Sequence, residues 1–305
     1  MTTAGRTFPL VPRHRLSGLP FGTARSTRRG RGSDLAGSRA YVPGDPISTI
    51  DWRASARLSS ARGDDEFIVR ERFADEAPYV VVVVDRRPSM GLYPHWSPWL
   101  AKPEAVRVAT QTIVASALAA RGAVGYLECA DDPFWIAPRG RSPLELIRDR
   151  DRTAGFDAHT DSLQRGIEYL ARSASSLGAG SFVFVLSDFL DAPPRDLWLV
   201  GSARRWELVP VVIQDPVWEQ SFPSVGPVVV PIVDPDDGAV LEVRLTRSEA
   251  RAERERREAA RSELLTVLAS LGRDPVLVSR SGPDSVQRAF LEWAERRRRA
   301  LWLRR

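Results

Sequence analysis

The sequence is poor in the side chains that build covalent or metal-bound frameworks. Among 305 residues it has one cysteine, Cys129, and three histidines that lie far apart along the chain. A single cysteine excludes a disulfide within the chain, and neither residue type shows the spacing of a zinc site. Cys129 lies in an apolar stretch, where we expect a small buried core residue.

Long apolar runs are also missing. No segment approaches the roughly 20 consecutive apolar residues that a membrane-spanning helix needs, and the N-terminus lacks the apolar core of a secretory signal. We therefore expect a cytoplasmic protein. With 43% hydrophobic residues the chain can still bury a substantial core.

Lysine is almost absent, since Lys102 is the only one among 44 basic residues. The formal net charge is +5, but 39 acidic residues are interspersed with the arginines. Such mixing is weak support for binding a polyanion, so we expect no nucleic-acid partner. The arginine run Arg296 to Arg299, with Arg304 and Arg305, leaves two alternatives open, binding to nucleic acid or peripheral contact with an anionic membrane.

The chain does contain a series of short apolar runs separated by helical segments. Residues 78–84 form a continuous run rich in valine, which is typical of a strand buried on both faces of a parallel sheet. Pro103 opens a helical stretch after it, and later spacings leave room for crossover helices. We predict an α/β fold with a doubly wound, mostly parallel sheet of the Rossmann type. The further predicted strands are 123–128, 182–187, 208–213 and 275–279.

The C-terminal segment predicts two helices with a strand between them. Thr246 and Glu249 fit a capping box at the start of a long charged helix that Gly272 ends, and Asp284 begins the last helix. We divide the chain into a loop-rich or β-containing N-terminal region, an α/β domain, and a helix-strand-helix segment that completes this domain. The boundaries are 1–76, 77–245 and 246–305.

Two aspartates directly follow predicted strands, at the edge where open α/β sheets bind their ligands. Asp85 follows the valine run and precedes Ser89, and Asp188 follows the run at 182–187. Thr160 lies in a polar loop that opens another helix. Oxygen atoms from three such loops are suited to magnesium, although strand-end aspartates also cap helices and form turns.

These four residues resemble the metal-ion-dependent adhesion site of von Willebrand factor A-like domains, which usually reads Asp-x-Ser-x-Ser. Arg87 stands where that motif has its first serine, so a cation that repels metal replaces a hydroxyl ligand. The resemblance implies a degenerate site that binds either no cofactor or magnesium weakly. Its candidate ligands are Asp85, Ser89, Thr160 and Asp188.

Short motifs near the N-terminus point to a family. In order they are Gly22-Thr-Ala-Arg-Ser26, Gly30-Arg-Gly32, Arg39-Ala-Tyr41, Pro43-Gly-Asp45 and Ile50-Asp-Trp-Arg53, followed by Ala56-Arg57. With Asp215, Pro216, Glu219 and the segment 234–238, they resemble the bacterial family catalogued as domain of unknown function 58. The resemblance covers roughly residues 20–295 and implies a von Willebrand factor A-like domain after the motifs. Many relatives carry two membrane helices ahead of this region, so the chain resembles a soluble short form.

This resemblance implies a non-catalytic protein–protein interaction module. Relatives are generally linked with MoxR-type AAA+ ATPases, and the implied role is an adaptor in chaperone-like assembly or activation of other proteins. The expected partners are such an ATPase and a client protein, docked at the strand-end crevice. There a partner carboxylate would either complete the coordination of a metal or pair bidentately with Arg87 without any ion. The sequence does not indicate an oligomeric state.

Charged and aromatic residues of the N-terminal motifs have two interpretations. We favour a hydrogen-bonded network that fixes an irregular segment against the sheet, and the alternative is a surface that binds a partner. The candidate residues are Arg39, Tyr41, Asp45, Asp51, Trp52, Arg53 and Arg57.

A hydrolase is the enzymatic alternative. Ser89, His159 and Asp188 form a nucleophile, base and acid if all three lie at the crevice. However, Ser89 lacks the Gly-x-Ser-x-Gly surroundings of a nucleophile elbow. We therefore expect no enzyme activity.

Overall fold

The structure is a computed structural model, and it describes most of the chain. The described residues are 6–13, 19–29, 35–63, 66–92, 98–139, 144–174, 177–191, 194–224, 226–233 and 240–303. The Gly30-Arg-Gly32 motif, the segment 234–238 and the terminal residues Arg304 and Arg305 lie outside them.

The described residues form eleven strands and seven α-helices, and the helices lie between strands or pairs of strands over most of the chain. The strands are β1 (Leu19–Arg29), β2 (Leu35–Ala40), β3 (Ile68–Ala77), β4 (Tyr79–Asp85), β5 (Ala123–Cys129), β6 (Phe134–Arg139), β7 (Phe182–Ser187), β8 (Glu207–Ile213), β9 (Val228–Val233), β10 (Val240–Leu245) and β11 (Val276–Val278). The α-helices are α1 (Trp52–Arg62), α2 (Lys102–Ala119), α3 (Leu144–Thr153), α4 (Ser162–Ser173), α5 (Arg195–Ala203), α6 (Arg247–Ser270) and α7 (Pro283–Trp302).

A six-stranded sheet forms the centre of the molecule, in the order β11, β8, β7, β4, β5, β6. All neighbouring pairs are parallel except β5 with β6, which lie antiparallel at one edge. The predicted α/β fold with a mostly parallel sheet is confirmed, and each predicted strand is present within two residues at either end. The antiparallel edge strand was not predicted.

Helices cover both faces of this sheet, as a doubly wound arrangement requires. Val80, Val82 and Val84 pack in the core beneath α2 and α7, whereas Val81 and Val83 pack in the core beneath α4, α5 and α6. All five valines are fully buried. Because alternate residues of a strand point to opposite faces, a strand with apolar cores on both sides has no place for a polar residue.

The N-terminal region forms a small antiparallel sheet in the order β1, β3, β2, with α1 beside it. The expectation of β structure is confirmed, but α1 was not predicted. Asp51 caps this helix by accepting from the Ala54 amide at 3.2 Å, and Gly63 ends it with a φ of 80°. Ser55 is the one fully buried residue of α1 among those described, so the helix carries no apolar period that a sequence would reveal.

Residues 6–13 form a strap that packs on the α/β core. Phe8 is 4% exposed and stacks on Phe290 of α7 with ring centroids 4.5 Å apart. Its amide donates to the Ser116 hydroxyl of α2 at 3.0 Å. The start of the predicted N-terminal region therefore contributes to the α/β core.

Candidate functional site

The two strand-end aspartates lie side by side at the carboxyl edge of the central sheet. Asp85 ends β4 and Asp188 directly follows β7, and these strands are parallel neighbours. The Ser187 hydroxyl donates to Asp85 Oδ2 at 2.7 Å, and the Ser89 hydroxyl donates to Asp188. Three of the four candidate metal ligands, Asp85, Ser89 and Asp188, therefore share one buried site.

Arg87 forms an ion pair with Asp85 inside the chain. Its Nη2 lies 2.7 Å from Asp85 Oδ2, its Nε lies 3.0 Å from Oδ1, and its amide also donates to Oδ1 at 3.0 Å. Burial opposes the charge on Arg87, but the Asp85 hydrogen bond and charge outweigh it and raise the pKa. Because the Arg87 fork is used internally, the expected bidentate pairing with a partner carboxylate would have to displace Asp85.

Lys102 holds the second aspartate in the same way. This residue begins α2 and is fully buried, and its Nζ lies 2.8 Å from Asp188 Oδ2 and 2.5 Å from Glu219 Oε1. The Ser89 carbonyl accepts a third hydrogen bond at 3.0 Å. Burial acts to lower the pKa of Lys102, yet the charges of Asp188 and Glu219 raise it overall.

The two buried carboxylates around Lys102 differ in their titration. Burial acts to raise the pKa of Asp188, but the charge and hydrogen bond of Lys102 lower it. For Glu219, burial together with the charge of Asp188 outweighs Lys102, so its pKa is raised. Of these two carboxylates, Glu219 therefore takes up a proton more readily than Asp188.

These residues do not fit a magnesium ion. Both oxygens of Asp85 already accept hydrogen bonds from Arg87 or Ser187, and Asp188 Oδ2 accepts one from Lys102. A divalent ion placed between them would meet two buried cations, which raises its free energy sharply. In the described parts of the chain, no group of three or more histidine, cysteine or acidic residues is arranged to hold a metal.

Thr160 and His159 lie at the surface, in the turn before α4. Thr160 is exposed and has no hydrogen bond with Asp85, Ser89 or Asp188 among the described residues. The Nδ1 of His159 lies 2.8 Å from Asp161 Oδ1, with both side chains more than half exposed. The base and acid of the alternative hydrolase triad are thus each engaged with another partner, His159 with Asp161 and Asp188 with Lys102.

Sequence reasoning missed Lys102 and gave Glu219 no role at the site. Neither residue is near Asp85 or Asp188 along the chain, so spacing holds no signal for either. Composition does contain a signal for Lys102, because a single lysine in a chain that otherwise uses arginine marks a position where a compact ammonium group is needed.

The polar residues of the N-terminal motifs form the predicted network in part. Arg39 pairs with Asp45 through two hydrogen bonds of 2.6 and 2.7 Å and with Glu71 at 3.1 Å. The Arg39 hydrogen bonds lower the pKa of Asp45 to about 2. Asp51 pairs with Arg70 at 2.7 Å, and this bond is the main cause of its lowered pKa.

The remaining residues of these motifs lie on an exposed surface. We define the aromatic patch as the rings of Tyr41, Trp52 and Phe67 together with the exposed Val42 and Ile47, which lie in the segment between β2 and α1. Its rings meet edge to face around Phe67, with centroids 6.4 Å from Tyr41 and 5.9 Å from Trp52. Apart from half-buried Tyr41 its members are well exposed, Ile47 at 69% and Trp52 at 58%.

Two arginines extend the aromatic patch along α1. Arg53 and Arg57 are exposed and lie one helical turn apart, on the helix that Trp52 begins. Neither has an ion pair within the described ranges. The predicted network thus omits these two side chains, because the acidic residues of the motifs pair with Arg39 and Arg70 instead.

The C-terminal arginine run is partly structural. Arg297 is 2% exposed, pairs with Glu207 at 3.1 Å and donates to the Val11 carbonyl of the strap at 3.0 Å. Burial lowers its pKa to about 10. Arg296 donates to the Pro275 carbonyl at 2.8 Å. These contacts leave fewer of the arginines to bind a nucleic acid or a membrane.

The profile of a family described as "Protein of unknown function DUF58" matches residues 37–264. The chain belongs to this family. The match confirms the resemblance that the sequence motifs indicated. A comparison with curated proteins finds no match.

Two solved structures from Bacteroides are among the similar ones. The conserved hypothetical protein BatB from Bacteroides thetaiotaomicron is 14% identical, with 73% of this chain and 99% of that one covered and a TM-score of 0.43. An aerotolerance-related membrane protein from Bacteroides fragilis is 13% identical, with 72% and 99% covered and a TM-score of 0.43. Within the described residues of this family member, no helix combines the length and apolarity needed to cross a bilayer.

Proposed function

We propose that this family member is a non-catalytic interaction module with a von Willebrand factor A-like domain, acting as a cytoplasmic adaptor. Its partner in this proposal is a MoxR-type AAA+ ATPase, and its role is chaperone-like assembly or activation of a client protein. The observation that carries the proposal is the exposed aromatic patch beside Arg53 and Arg57. The choice of ATPase rests on the resemblance to the family.

The composition of this surface is that of a protein-binding site. Contiguous exposed apolar side chains are rare on soluble monomers, and tryptophan, tyrosine and arginine dominate the binding energy of interfaces. The patch also has firm support beneath it. The Tyr41 amide donates to the Phe67 carbonyl at 2.8 Å, and the Ser55 hydroxyl of α1 accepts from the Ile68 amide of β3 at 2.9 Å. A surface held this way loses little freedom when a partner binds.

Its charge defines the kind of partner. Arg53 and Arg57 present two positive groups along one side of Trp52, and both acidic neighbours Asp45 and Asp51 are already paired within the chain. A complementary surface carries an apolar side chain that covers Trp52 and carboxylates that meet the two arginines. We therefore expect the contact surface of the ATPase to be acidic with an apolar centre.

The strand-end site supports a binding role that needs no added ion. Arg87 and Lys102 neutralise the two strand-end aspartates from within the chain. Binding of the adaptor through the aromatic patch should therefore need no metal ion in this chain. A chelator should weaken binding only where it removes the magnesium that the ATPase needs for its nucleotide.

Co-purification from the native cell tests the proposal. The tagged protein, recovered gently in nucleotide-containing buffer, should bring down a hexameric ATPase. Trp52→Ala should remove most of it, because a central exposed tryptophan of an interface typically contributes 2 kcal/mol or more, about a thirtyfold loss of affinity. The charge reversal Arg57→Glu should also remove most of the ATPase. Because salt screens the repulsion between the new glutamate and an acidic partner, this variant should bind better at high salt than at low salt.

Trp302→Ala is the matched control, since Trp302 is 77% exposed at the end of α7. This variant should retain the ATPase. Failure of the tagged wild type to recover any hexameric ATPase would contradict the adaptor role. Full retention by Trp52→Ala would instead move the binding surface away from the aromatic patch.

A further inference from the structure

Three oxygens at the strand-end site converge on a cation that belongs to the chain itself. The Lys102 Nζ lies within 3.0 Å of Asp188 Oδ2, Glu219 Oε1 and the Ser89 carbonyl. These acceptors follow β7, β8 and β4 respectively, so one ammonium group joins three separate loops. Its three donors match three acceptors, which leaves no hydrogen of the buried charge unpaired.

We infer that Lys102 is a built-in cation that takes the place of a divalent ion, so that the strand-end site keeps its arrangement without metal. The oxygen atoms at the strand ends, from which the sequence predicts magnesium, are thus present, and the Lys102 ammonium replaces the ion. Three carboxylates, Asp85, Asp188 and Glu219, face two cations, Arg87 and Lys102. An added magnesium would turn this small negative balance into an excess of buried positive charge.

Lysine suits this position better than the arginine used at every other basic position of the chain. An ammonium is a compact charge with three donors that point in different directions, whereas guanidinium is a planar fork that favours one carboxylate. Asp188 and Glu219 approach the Lys102 Nζ as separate single contacts. Arg87, which meets one carboxylate bidentately, shows the contrasting geometry.

Manganese binding to the wild type, Lys102→Ala and Lys102→Met tests the inference. Electron paramagnetic resonance measures bound Mn²⁺, and the midpoint of thermal unfolding measures stability. The wild type should bind no Mn²⁺ at millimolar concentration and show no shift. Lys102→Ala should lower the midpoint by roughly 10 °C, because it leaves buried carboxylates without a counter-ion. Mn²⁺ should then bind in the vacated space and restore much of that loss saturably.

Lys102→Met is the matched control. It removes the same charge but keeps the side-chain volume, so the midpoint should fall as far while Mn²⁺ neither binds nor restores it. Saturable Mn²⁺ binding by the wild type would overturn the inference. An equal response of the Ala and Met variants to Mn²⁺ would also overturn it, because the ion would then not occupy the ammonium position.

A measurement on the wild type covers the case in which the variants fail to fold. Because Lys102 is the only lysine, lysine labelled with ¹⁵N at Nζ gives a single side-chain ammonium signal. We expect this signal to exchange slowly with water at neutral pH and to remain sharp when Mn²⁺ is added. Loss of the signal to rapid exchange, or its saturable broadening by Mn²⁺, would contradict a buried cation that excludes metal. Neither result depends on the identity of the adaptor's partner.

Discussion

At the scale of single residues, charged side chains of this protein are paired according to their depth. Deep in the strand-end site, Arg87 and Lys102 each neutralise carboxylates that are fully buried. Near the surface, Arg39 pairs with Asp45, and the two side chains keep 40% and 16% of their surface in contact with water. Buried pairs are costly to break, whereas exposed pairs stabilise weakly and depend on pH and salt. The two kinds of pair therefore predict different experiments.

For the Arg39–Asp45 pair, the pH dependence of stability follows from the lowered pKa of Asp45. Its pKa in the folded protein is about 2, below the usual value of 3.8, so its stabilisation is complete above pH 3.8 and is lost as the pH falls toward 2. Asp45→Asn should therefore be less stable than the wild type at pH 6. Urea unfolding at pH 6, 4 and 3 should show the difference shrinking as the pH falls.

The control for this prediction removes the partner. In an Arg39→Gln background the main cause of the lowered Asp45 pKa is gone, so Asp45→Asn should change stability by a smaller and less pH-dependent amount. A difference between wild type and Asp45→Asn that is constant from pH 6 to pH 3 would show that the pair does not hold the Asp45 carboxylate in its charged form.

At the scale of elements, predictability from the sequence follows burial. The strand β4 could be predicted because both of its faces are buried, and its composition is set by that environment alone. The helix α1 could not, since its first turn is set by one cap at Asp51 and its faces are mostly exposed. At the strand-end site, the sequence predicted Asp85 and Asp188, because each lies at the end of a predicted strand. The spacing of residues along the chain did not predict Lys102 or Glu219, because both reach the site through tertiary packing, and only composition marks Lys102 as unusual.

Helix α4 packs so closely on β5 that its glycine is required. A Cβ added at Gly166 would overlap the Sγ of Cys129 and lie 3.1 Å from the Cys129 Cβ. Gly166→Ala gains up to about 1 kcal/mol of helix propensity, but overpacking costs roughly 1–3 kcal/mol. We expect net destabilisation of about 1 kcal/mol, measured by urea unfolding at neutral pH.

A double-mutant cycle with Cys129→Ala isolates this contact. Without the sulfur the severe overlap is gone and the nearest atom of residue 129 is its Cβ at 3.1 Å, so Gly166→Ala should cost clearly less in that background. The same cost of Gly166→Ala in both backgrounds would mean that the helix is held off by some other contact.

At the scale of the whole molecule, the two ends of the described chain are packed together on the α/β core. Phe8 contacts Phe290 and Trp293 of α7, and the Thr7 carbonyl accepts from Gln287 Nε2 at 3.1 Å. The strap thus holds α7 against the central sheet. In sequence it is separated from that sheet by the small N-terminal sheet. Folding of α7 should accordingly depend on residues 280 positions away along the chain.

The strap prediction is that Phe8→Ala destabilises the entire α/β core. Phe8 is 4% exposed and meets three aromatic rings, so its truncation should cost about 3–5 kcal/mol in the free energy of unfolding. Arg6→Ala, which removes only an exposed pair with Asp284, should cost less than about 1 kcal/mol. Urea unfolding should show a single transition that moves for Phe8→Ala, because α7 and the sheet share the core that Phe8 fills. A separate early transition for Phe8→Ala, with the main transition unmoved, would show that the strap is an accessory to the core and does not form part of it.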